Sequence, residues 1–230
     1  MRDLYEVSGA SMAQRASLAA MEAVCVAAAW WLLAGGGIRT AGGWFGWRLA
    51  PGDATRRLCL GAALTIYFIR ILFTEFLFLR RGVSWGEVFT VGPWVFCLYL
   101  WLCLAGGTNP APPGVAAGMG AALFAAGSWM NSGAEYARHR WKQKAENRGK
   151  LYTESWFRYT RHPNYFGDLV SFSGISLIAG RWNTGIIPLL MLTGFVFVNV
   201  PALDAHLHKR YGAAFEEWAG RTRKLIPFLY

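Results

Sequence analysis

Charged side chains are scarce in this sequence, acidic ones most of all. Only 16% of the 230 residues are charged, with 13 Asp or Glu against 23 Lys or Arg, whereas 54% are hydrophobic. An average soluble domain carries about 25% charged residues, so the composition argues against a soluble globular protein. The sequence instead predicts an all-α fold, a polytopic integral membrane helical bundle.

Cysteine is also rare, and the spacing of the four cysteines is not that of a zinc or redox motif. All four lie in apolar segments and are interpreted as packing residues; they are Cys25, Cys59, Cys97 and Cys103. Internal repeats and paired broken helices are lacking as well, which argues against a secondary transporter.

Apolar runs long enough to cross a bilayer, at about 20 residues per helix, set the predicted topology. Six spans are expected, at residues 16–35, 58–79, 87–106, 112–131, 166–181 and 184–202. The short segment Gly42–Ala50, which holds two tryptophans, is interpreted as interfacial, and a seventh span is the alternative. The polar residues 1–15 do not form a cleavable signal peptide pattern, so the first span should stay in the membrane.

Positive charge is concentrated between residues 132 and 163, where eight Lys or Arg face three Glu. A basic patch is typical of nucleic-acid binding, but a basic loop between spans is also what the positive-inside rule expects of cytoplasmic segments. We therefore expect this loop, the Arg80-Arg81 turn and the carboxyl-terminal tail to be cytoplasmic, with no nucleic-acid partner. Residues 36–57, with four arginines and one aspartate, disagree with this orientation.

Two predicted spans contain ionisable side chains, which are costly at bilayer depth and usually face a partner or a wet cavity. Tyr67, Arg70 and Thr74 share one helical stripe, whereas Glu75 points away from Arg70. Arg70 either faces a ligand, which we favour, or pairs with an acid on a neighbouring helix. Glu22, alone in an apolar helix, suits a proton donor or a hydrogen bond to another helix.

Four polar residues recur with helical spacing where the fourth span leaves the membrane. They are Asn131, Glu135, Arg138 and Lys142, which share one helix face. This stripe is either a solvated, salt-bridged surface or a binding face, and Asn131 at the membrane boundary favours the second.

The stretch "RYTRHPNYFGD", from Arg158 to Asp168, is a predicted elbow at the start of a helix. Pro163 disfavours a helical His162, so the next helix should begin near Asn164 or Tyr165. A helix amino terminus beside cations binds phosphate or another anion. Farther on, His206 and His208 do not converge in a helix, so no metal site is expected, and the tail with Tyr211 should fold over the mouth of the site.

With these motifs in place, the chain resembles the steroid 5-alpha-reductase-like membrane family and its bacterial branch, related to sterol reductases and isoprenylcysteine carboxyl methyltransferases. The resemblance runs from Tyr67 to Tyr230. It rests on "YFIR", "RRG", the Asn131 and Glu135 pair, "WFRY" at 156–159, "RHPNYFGD" and the closing "LIPF".

The resemblance implies an NADPH-dependent reduction of an enone double bond in a lipophilic substrate, in a bacterial inner membrane. Tyr67 and a membrane glutamate, for which Glu22 is the candidate, would polarise the carbonyl. It implies a single membrane domain over 1–230, with four spans in 16–131 and the cofactor region with two spans and the tail in 132–230. The implied cofactor-binding residues are Arg70, Asn131, Glu135, Arg138, Lys142, Tyr159, Arg161, His162, Asn164, Asp168 and Tyr211.

Two other functions are weighed beside the reductase. The same elbow would bind S-adenosylmethionine in a methyltransferase of the isoprenylcysteine or phospholipid type, and a non-catalytic lipid-binding module is the third reading. NADPH carries a 2′-phosphate and calls for clustered cations, which favours the reductase. Membrane lipid and a lipophilic small molecule are the expected partners, and no obligate protein partner is evident.

Overall fold

The protein forms a bundle of helices, with no strand among the residues that the structure describes. A computed structural model describes residues 11–79 and 81–230, so the predicted turn at Arg80 and the first ten residues lie outside it. The α-helices are α1 (Met12–Leu33), α2 (Gly37–Trp44), α3 (Ala54–Phe73), α4 (Trp85–Gly107), α5 (Val115–Gln143), α6 (Pro163–Ala179), α7 (Ile186–Gly194), α8 (Val200–Tyr211) and α9 (Ala213–Arg221). The predicted all-α membrane bundle is confirmed.

Shorter helical turns connect or extend these helices. A π-helical turn, Thr74–Phe78, continues α3, and a second, Phe195–Asn199, joins α7 to α8. Short 3₁₀ turns lie at Ala145–Asn147, Ser155–Arg158 and Trp182–Gly185. π-helical turns occur frequently at functional sites. The first contributes Thr74 and Phe78 to the cavity described below, and the second contacts the lining residue Tyr165 through Phe195.

Local sequence explains where several helices begin. The Asp53 side chain accepts a hydrogen bond from Arg56 N at 2.8 Å and caps α3. Ser84 and Glu87 form a reciprocal capping box at the start of α4, in which each side chain accepts from the other's backbone N–H. Pro163 occupies the first turn of α6, where a missing N–H costs nothing.

Four helical segments are long and apolar enough to cross a membrane: Met12–Leu33, Ala54–Phe78, Trp85–Gly107 and Trp182–Tyr211. They coincide with four of the six predicted spans. The other two predicted spans are also helices, but α5 continues to Gln143 and α6 has 17 residues. In the predicted interfacial segment, α2 ends at Trp44, and the exposed rings of Phe45 and Trp47 follow.

The six long segments alternate in direction. α1 and α4 run together, since Gly92 contacts Met21 and Gly107 contacts Leu33. α3 runs against α1, because Thr65 accepts a hydrogen bond from Trp30 near one end and the backbone carbonyl of Glu75 accepts one from Arg15 near the other. The end of the bundle where α3 and α5 end and α4 and α6 begin is called the polar end.

α5 and α6 pack against each other through glycines. A Cβ on Gly127 would lie 2.5 Å from the Gly167 carbonyl oxygen, and one on Gly120 would lie 2.6 Å from that of Gly174. Small residues let helix backbones approach closely in a membrane. This contact brings the ends of α5 and α6, which carry most of the predicted site, to one place.

Candidate functional site

A basic cavity of about 500 Å³ lies at the polar end, within the usual size range of ligand pockets. The end of α3, the end of α5, the start of α6 and α8 form its walls. Its ionisable lining comprises Arg81, Glu135, Arg138, His139, Lys142, Arg148, Lys150, His206, Arg210 and Tyr211. Six Lys or Arg against one acid make the cavity suited to an anion.

The predicted stripe on α5 faces this cavity and α6. Glu135 is buried and forms an ion pair with Arg138, and both residues line the cavity with Lys142. Lys142 donates to the Tyr211 hydroxyl at 3.4 Å. The stripe therefore contains a salt bridge, as expected of a solvated surface, but its residues form one wall of a cavity.

The predicted elbow is present, and α6 begins there at Pro163. Asn131 Nδ2 donates to the backbone carbonyl of Asn164 at 2.8 Å, which joins α5 to the first turn of α6. Asn164 and Tyr165 line the cavity. Asn131 itself is buried behind this wall.

Below the cavity, Arg70 pairs with an acid on a neighbouring helix. Its Nη2 lies 2.5 Å from Asp168 Oδ1 on α6, and its guanidinium lies over the Tyr67 ring, 4.7 Å from the centroid. Arg70 Nε and Nη1 are buried without a hydrogen-bond partner among the described residues. The alternative in which Arg70 pairs with an acid on a neighbouring helix is thus confirmed for Nη2, whereas Nε and Nη1 remain without a partner among the described residues.

Glu22 lies deeper in the bundle, on α1. It is 2% exposed, and its Oε2 has no hydrogen-bond partner in the described part of the chain. It is near enough to Tyr67 and Tyr99 to interact with both electrostatically. These contacts form a buried line of polar side chains that runs from α6 through α3 to α1. Its members are Asp168, Arg70, Tyr67 and Glu22.

Arg161 and His162 belong to the elbow but are not part of the cavity lining. Both contact Asp204 on α8, Arg161 Nη2 at 2.8 Å and His162 Nε2 at 2.9 Å. Burial lowers the pKa of His162, although its hydrogen bond to Asp204 acts in the opposite direction. His162 also stacks on Tyr165, with ring centroids 5.4 Å apart. The pair fastens α8 to the elbow.

The carboxyl-terminal tail packs on the same elbow. Arg161 N donates to the Arg223 carbonyl at 2.8 Å, and Thr160 Oγ1 donates to that of Leu225. Tyr159 is half-exposed and contacts Phe228 in the tail, not the cavity. The tail therefore supports the site, while α8 with Tyr211 forms part of its wall.

Several residues of the site were not predicted from the sequence. Asp204 was passed over in favour of His206 and His208, which follow it, although an acid in an apolar span is a signal of a functional site. Arg148 and Lys150 were counted only as loop charge, and Arg210 and Arg81 only as part of the tail and of a turn. Their convergence depends on how α8 and the loops fold back, which spacing does not reveal.

A second cavity, of about 250 Å³, lies between α1, α4 and the segment around α2. Its lining has no charged side chain; the polar groups of its residues are the Cys25 thiol, the indole N–H groups of three tryptophans, and the Tyr99 hydroxyl, which is already bonded to the Leu64 carbonyl at 3.0 Å. Cys25 is one turn from Glu22 on α1. We call this cavity the apolar chamber; its lining is Cys25, Ala28, Ala29, Trp31, Leu32, Ala41, Trp44, Phe45, Trp47, Leu49, Phe96, Tyr99, Leu100 and Leu104.

Curated relatives carry two kinds of name. The chain is 32% identical over 115 residues to steroid 5-alpha-reductase DET2 of Arabidopsis thaliana, covering 49% of this chain and 41% of that protein. It is 25% identical over 181 residues to 3-oxo-5-alpha-steroid 4-dehydrogenase 2 of Sus scrofa, covering 74% and 67%. It is 36% identical over 107 residues to the probable O-methyltransferase ustE of Ustilaginoidea virens, covering 46% and 37%. The chain thus spans well under half the length of two of these relatives.

The family model described as protein of unknown function (DUF1295) matches residues 87–222, more than half of the chain. That range contains α5, the elbow, α8 and most of the cavity lining. The resemblance predicted from the sequence is confirmed by this match and by the two steroid reductases. The protein belongs to the DUF1295 family of integral membrane proteins, which is steroid 5-alpha-reductase-like.

Proposed function

We propose that the protein is a membrane oxidoreductase that transfers a hydride from NADPH to the activated double bond of a lipophilic, steroid- or isoprenoid-like enone. One observation carries the proposal: a buried line of polar side chains begins at Asp168 on α6, one turn beyond the cavity-lining Asn164, and ends at Glu22, one turn from Cys25 in the apolar chamber. An anionic carrier and an apolar substrate would meet along that line. The names of two relatives support the same reaction.

The cavity fits NADPH by its charge. Six Lys or Arg surround it, and phosphate groups are held by clustered guanidinium and ammonium groups. Arg138, Lys142, Arg148, Lys150 and Arg210 would hold the phosphates, and Asn164 with Glu135 would hold hydroxyl or amide groups. When bound, the cofactor supplies the hydride.

Three buried polar atoms without a hydrogen-bond partner among the described residues mark where the substrate carbonyl would bind: Arg70 Nε, Arg70 Nη1 and Glu22 Oε2. Tyr67 is 8% exposed and lies between Arg70 and Phe172. A phenol held beside a guanidinium is a hydrogen-bond donor fit to polarise a carbonyl. Glu22 would hold the proton that the reduced substrate takes up, because a buried carboxyl without a bonded cation stays neutral.

The apolar chamber would hold the hydrocarbon part of the substrate. Its lining is dominated by hydrocarbon and aromatic surface, and it has no charged side chain. A lipophilic molecule enters such a chamber by burying apolar surface. Glu22 lies one helical turn from it, at the end where the carbonyl would bind.

We also propose that the polar end faces the cytoplasm, where NADPH is available. The four arginines in residues 36–57 argued against this orientation, but two of them are used inside the fold. Arg56 donates to the carbonyls of Ala111, Pro112 and Ile178, and Arg57 to those of Gly52 and Leu33. These two arginines therefore have a structural role at this end of the bundle, in addition to any effect on topology.

Methyl transfer from S-adenosylmethionine is the second candidate. It is favoured by the 36% identity to a probable O-methyltransferase. Against it stands the charge of the cavity, since S-adenosylmethionine carries a net positive charge and gains nothing from six surrounding cations. The two candidates predict different ligands for the same cavity.

Thermal unfolding of the purified protein with NADPH, NADH or S-adenosylmethionine separates these candidates. We expect NADPH to raise the melting temperature most, because its 2′-phosphate contacts the lining cations. Lys142→Ala should reduce that rise, whereas Arg181→Ala, an exposed arginine at the opposite end of the bundle, should leave it unchanged. Stabilisation by S-adenosylmethionine alone would overturn the reductase proposal.

A further inference from the structure

Glu75 is a buried carboxyl that the proposed reaction leaves without a role. It lies in the π-helical turn that continues α3, and it is 6% exposed. Its Oε2 has no hydrogen-bond partner among the residues that the structure describes. A carboxyl in a membrane-spanning segment is costly, and such groups commonly mark proton paths.

The position of Glu75 connects the polar end with Glu22. Thr74, the preceding residue, lines the basic cavity, whereas Glu75 is buried on the side of α1. Arg15, two helical turns before Glu22 on α1, donates to the backbone carbonyl of Glu75, so Glu75 packs against α1 on the polar-end side of Glu22, where the two carboxyls also interact electrostatically. Glu87, at the start of α4, is ion-paired with Arg81, so the path from the polar end into the membrane consists of Glu75 and Glu22.

The nearest cation does not neutralise Glu75 through an ion pair. Arg15 directs its guanidinium to the backbone carbonyls of Glu75, Leu79 and Arg81. Among the described residues, the ionisable groups near Glu75 are Arg15, Glu87 and Glu22. Those near Glu22 include the neutral side chains of Tyr67, Tyr99 and Cys25. Arg15 holds the turn in place and leaves the carboxyl available.

We propose that Glu75 relays protons from the polar end to Glu22, an inference that rests on the proposed reductase function. Reduction of the double bond forms two C–H bonds and breaks one π bond. The hydride comes from NADPH, which becomes NADP⁺, and the proton comes from the Glu22 carboxyl. Glu22 is then reprotonated by Glu75 through intervening water, and Glu75 takes its proton from water at the polar end.

The relay explains why buried carboxyls lie on two neighbouring membrane segments, Glu22 on α1 and Glu75 on the turn that continues α3. One donor alone serves a single turnover, since its carboxylate would be left in an apolar region with no proton source. A second carboxyl between it and the polar end restores the proton. Glu75 does not contact the substrate in this scheme and acts only through Glu22.

The test compares Glu75→Gln and Glu75→Asp with the wild type in NADPH oxidation with a 3-oxo steroid that carries a 4,5 double bond. Glu75→Gln should lower kcat by about tenfold or more, with KM for NADPH unchanged. The loss should be smaller than the roughly 10²–10⁴-fold of a group that transfers the proton to the substrate itself, because Glu75 acts through Glu22. It should also enlarge the solvent deuterium isotope effect, and Glu75→Asp should restore part of kcat. Glu217→Gln, an exposed carboxyl on α9, is the matched control and should match the wild type.

Infrared spectra of protonated carboxyls give a readout that needs no turnover. Glu75→Gln should remove one buried carboxyl band and shift the band of Glu22, which Glu22→Gln identifies. An active wild type with an equally active Glu75→Gln and an unchanged isotope effect would overturn the relay alone. A wild type that neither binds nor oxidises NADPH would overturn the reductase proposal. In that case an unshifted Glu22 band would show that the two carboxyls are not coupled, and the relay would fall as well.

Discussion

Asn164 takes part in two structures through different atoms. Its backbone carbonyl accepts the hydrogen bond from Asn131 at 2.8 Å, which joins α5 to α6. Its residue also lines the basic cavity, where the side chain is available to a ligand. A change of the side chain alone should therefore separate binding from folding.

Asn164→Ala should abolish or strongly reduce stabilisation by NADPH while the protein still inserts normally. The variant keeps the backbone carbonyl, so the contact between α5 and α6 persists. Loss of one hydrogen bond to a ligand costs about 1–3 kcal/mol, which corresponds to roughly 5- to 150-fold in affinity. Isothermal titration with NADPH measures the change, and unaltered affinity would remove Asn164 from the site.

Asn109 provides the matched control, because it is a buried asparagine at the opposite end of the bundle. Its Nδ2 donates to the carbonyls of Ala179 and Gly180, and its Oδ1 accepts from Ala111 N. Asn109→Ala should lower the melting temperature and leave NADPH affinity unchanged. The two substitutions then give opposite patterns in the same pair of measurements.

Among the elements, the pairing of α5 with α6 determines the geometry of the site. Gly120 and Gly127 of α5 lie against Gly174 and Gly167 of α6. The hydrogen bond from Asn131 to α6 lies about one turn beyond Gly127, and the Glu135 wall follows one turn later. A small separation of the two helices would thus be transmitted to the cavity.

Gly127→Ala should lower both stability and NADPH affinity. The added Cβ would lie 2.5 Å from the Gly167 carbonyl oxygen and 2.6 Å from Ser171 N, and backbone atoms cannot move aside without shifting α6. Overpacking of this kind costs about 1–3 kcal/mol. The melting temperature and the NADPH titration measure the two effects.

The same substitution at Gly118, on the same helix, tests this interpretation. A Cβ on Gly118 meets no atom within 4 Å, and alanine favours a helix over glycine by about 1 kcal/mol. Gly118→Ala should therefore keep or raise the melting temperature with unchanged NADPH affinity. Equal losses of melting temperature and NADPH affinity in both variants would show that the glycine contact between α5 and α6 does not determine the geometry of the site.

Helices and their order were largely predictable from the sequence, because long apolar runs and Gly- or Pro-rich breaks are local signals. The elbow at Pro163 was predictable for the same reason, since proline restricts its own residue and the one before it. The π-helical turns were not predicted. They depend on which side chains pack between helices, and no sequence period marks them.

At the scale of the whole molecule, the candidate site could be predicted only in part. The stripe from Glu135 to Lys142 faces the cavity because helical spacing alone places these residues on one face. Arg161 and His162 were predicted to bind the cofactor, yet their side chains contact Asp204 on α8. Which polar residues meet a partner and which face a cavity depends on contacts between segments distant in sequence.

The orientation of the molecule gives a final prediction. Both α9 and the loop after α5 belong to the polar end, which should face the cytoplasm because it carries the unneutralised excess of Lys and Arg. Cysteines introduced at the exposed Glu217 and Arg181 should therefore differ in intact cells. A membrane-impermeant maleimide should label Arg181→Cys but not Glu217→Cys, and both should react after lysis.

The unsubstituted chain, whose exposed Cys59 and Cys97 lie within apolar helices, corrects for background. Labelling of Glu217→Cys in intact cells would place the basic cavity outside the cytoplasm, where NADPH is not supplied, and would count against the reductase as well as the topology.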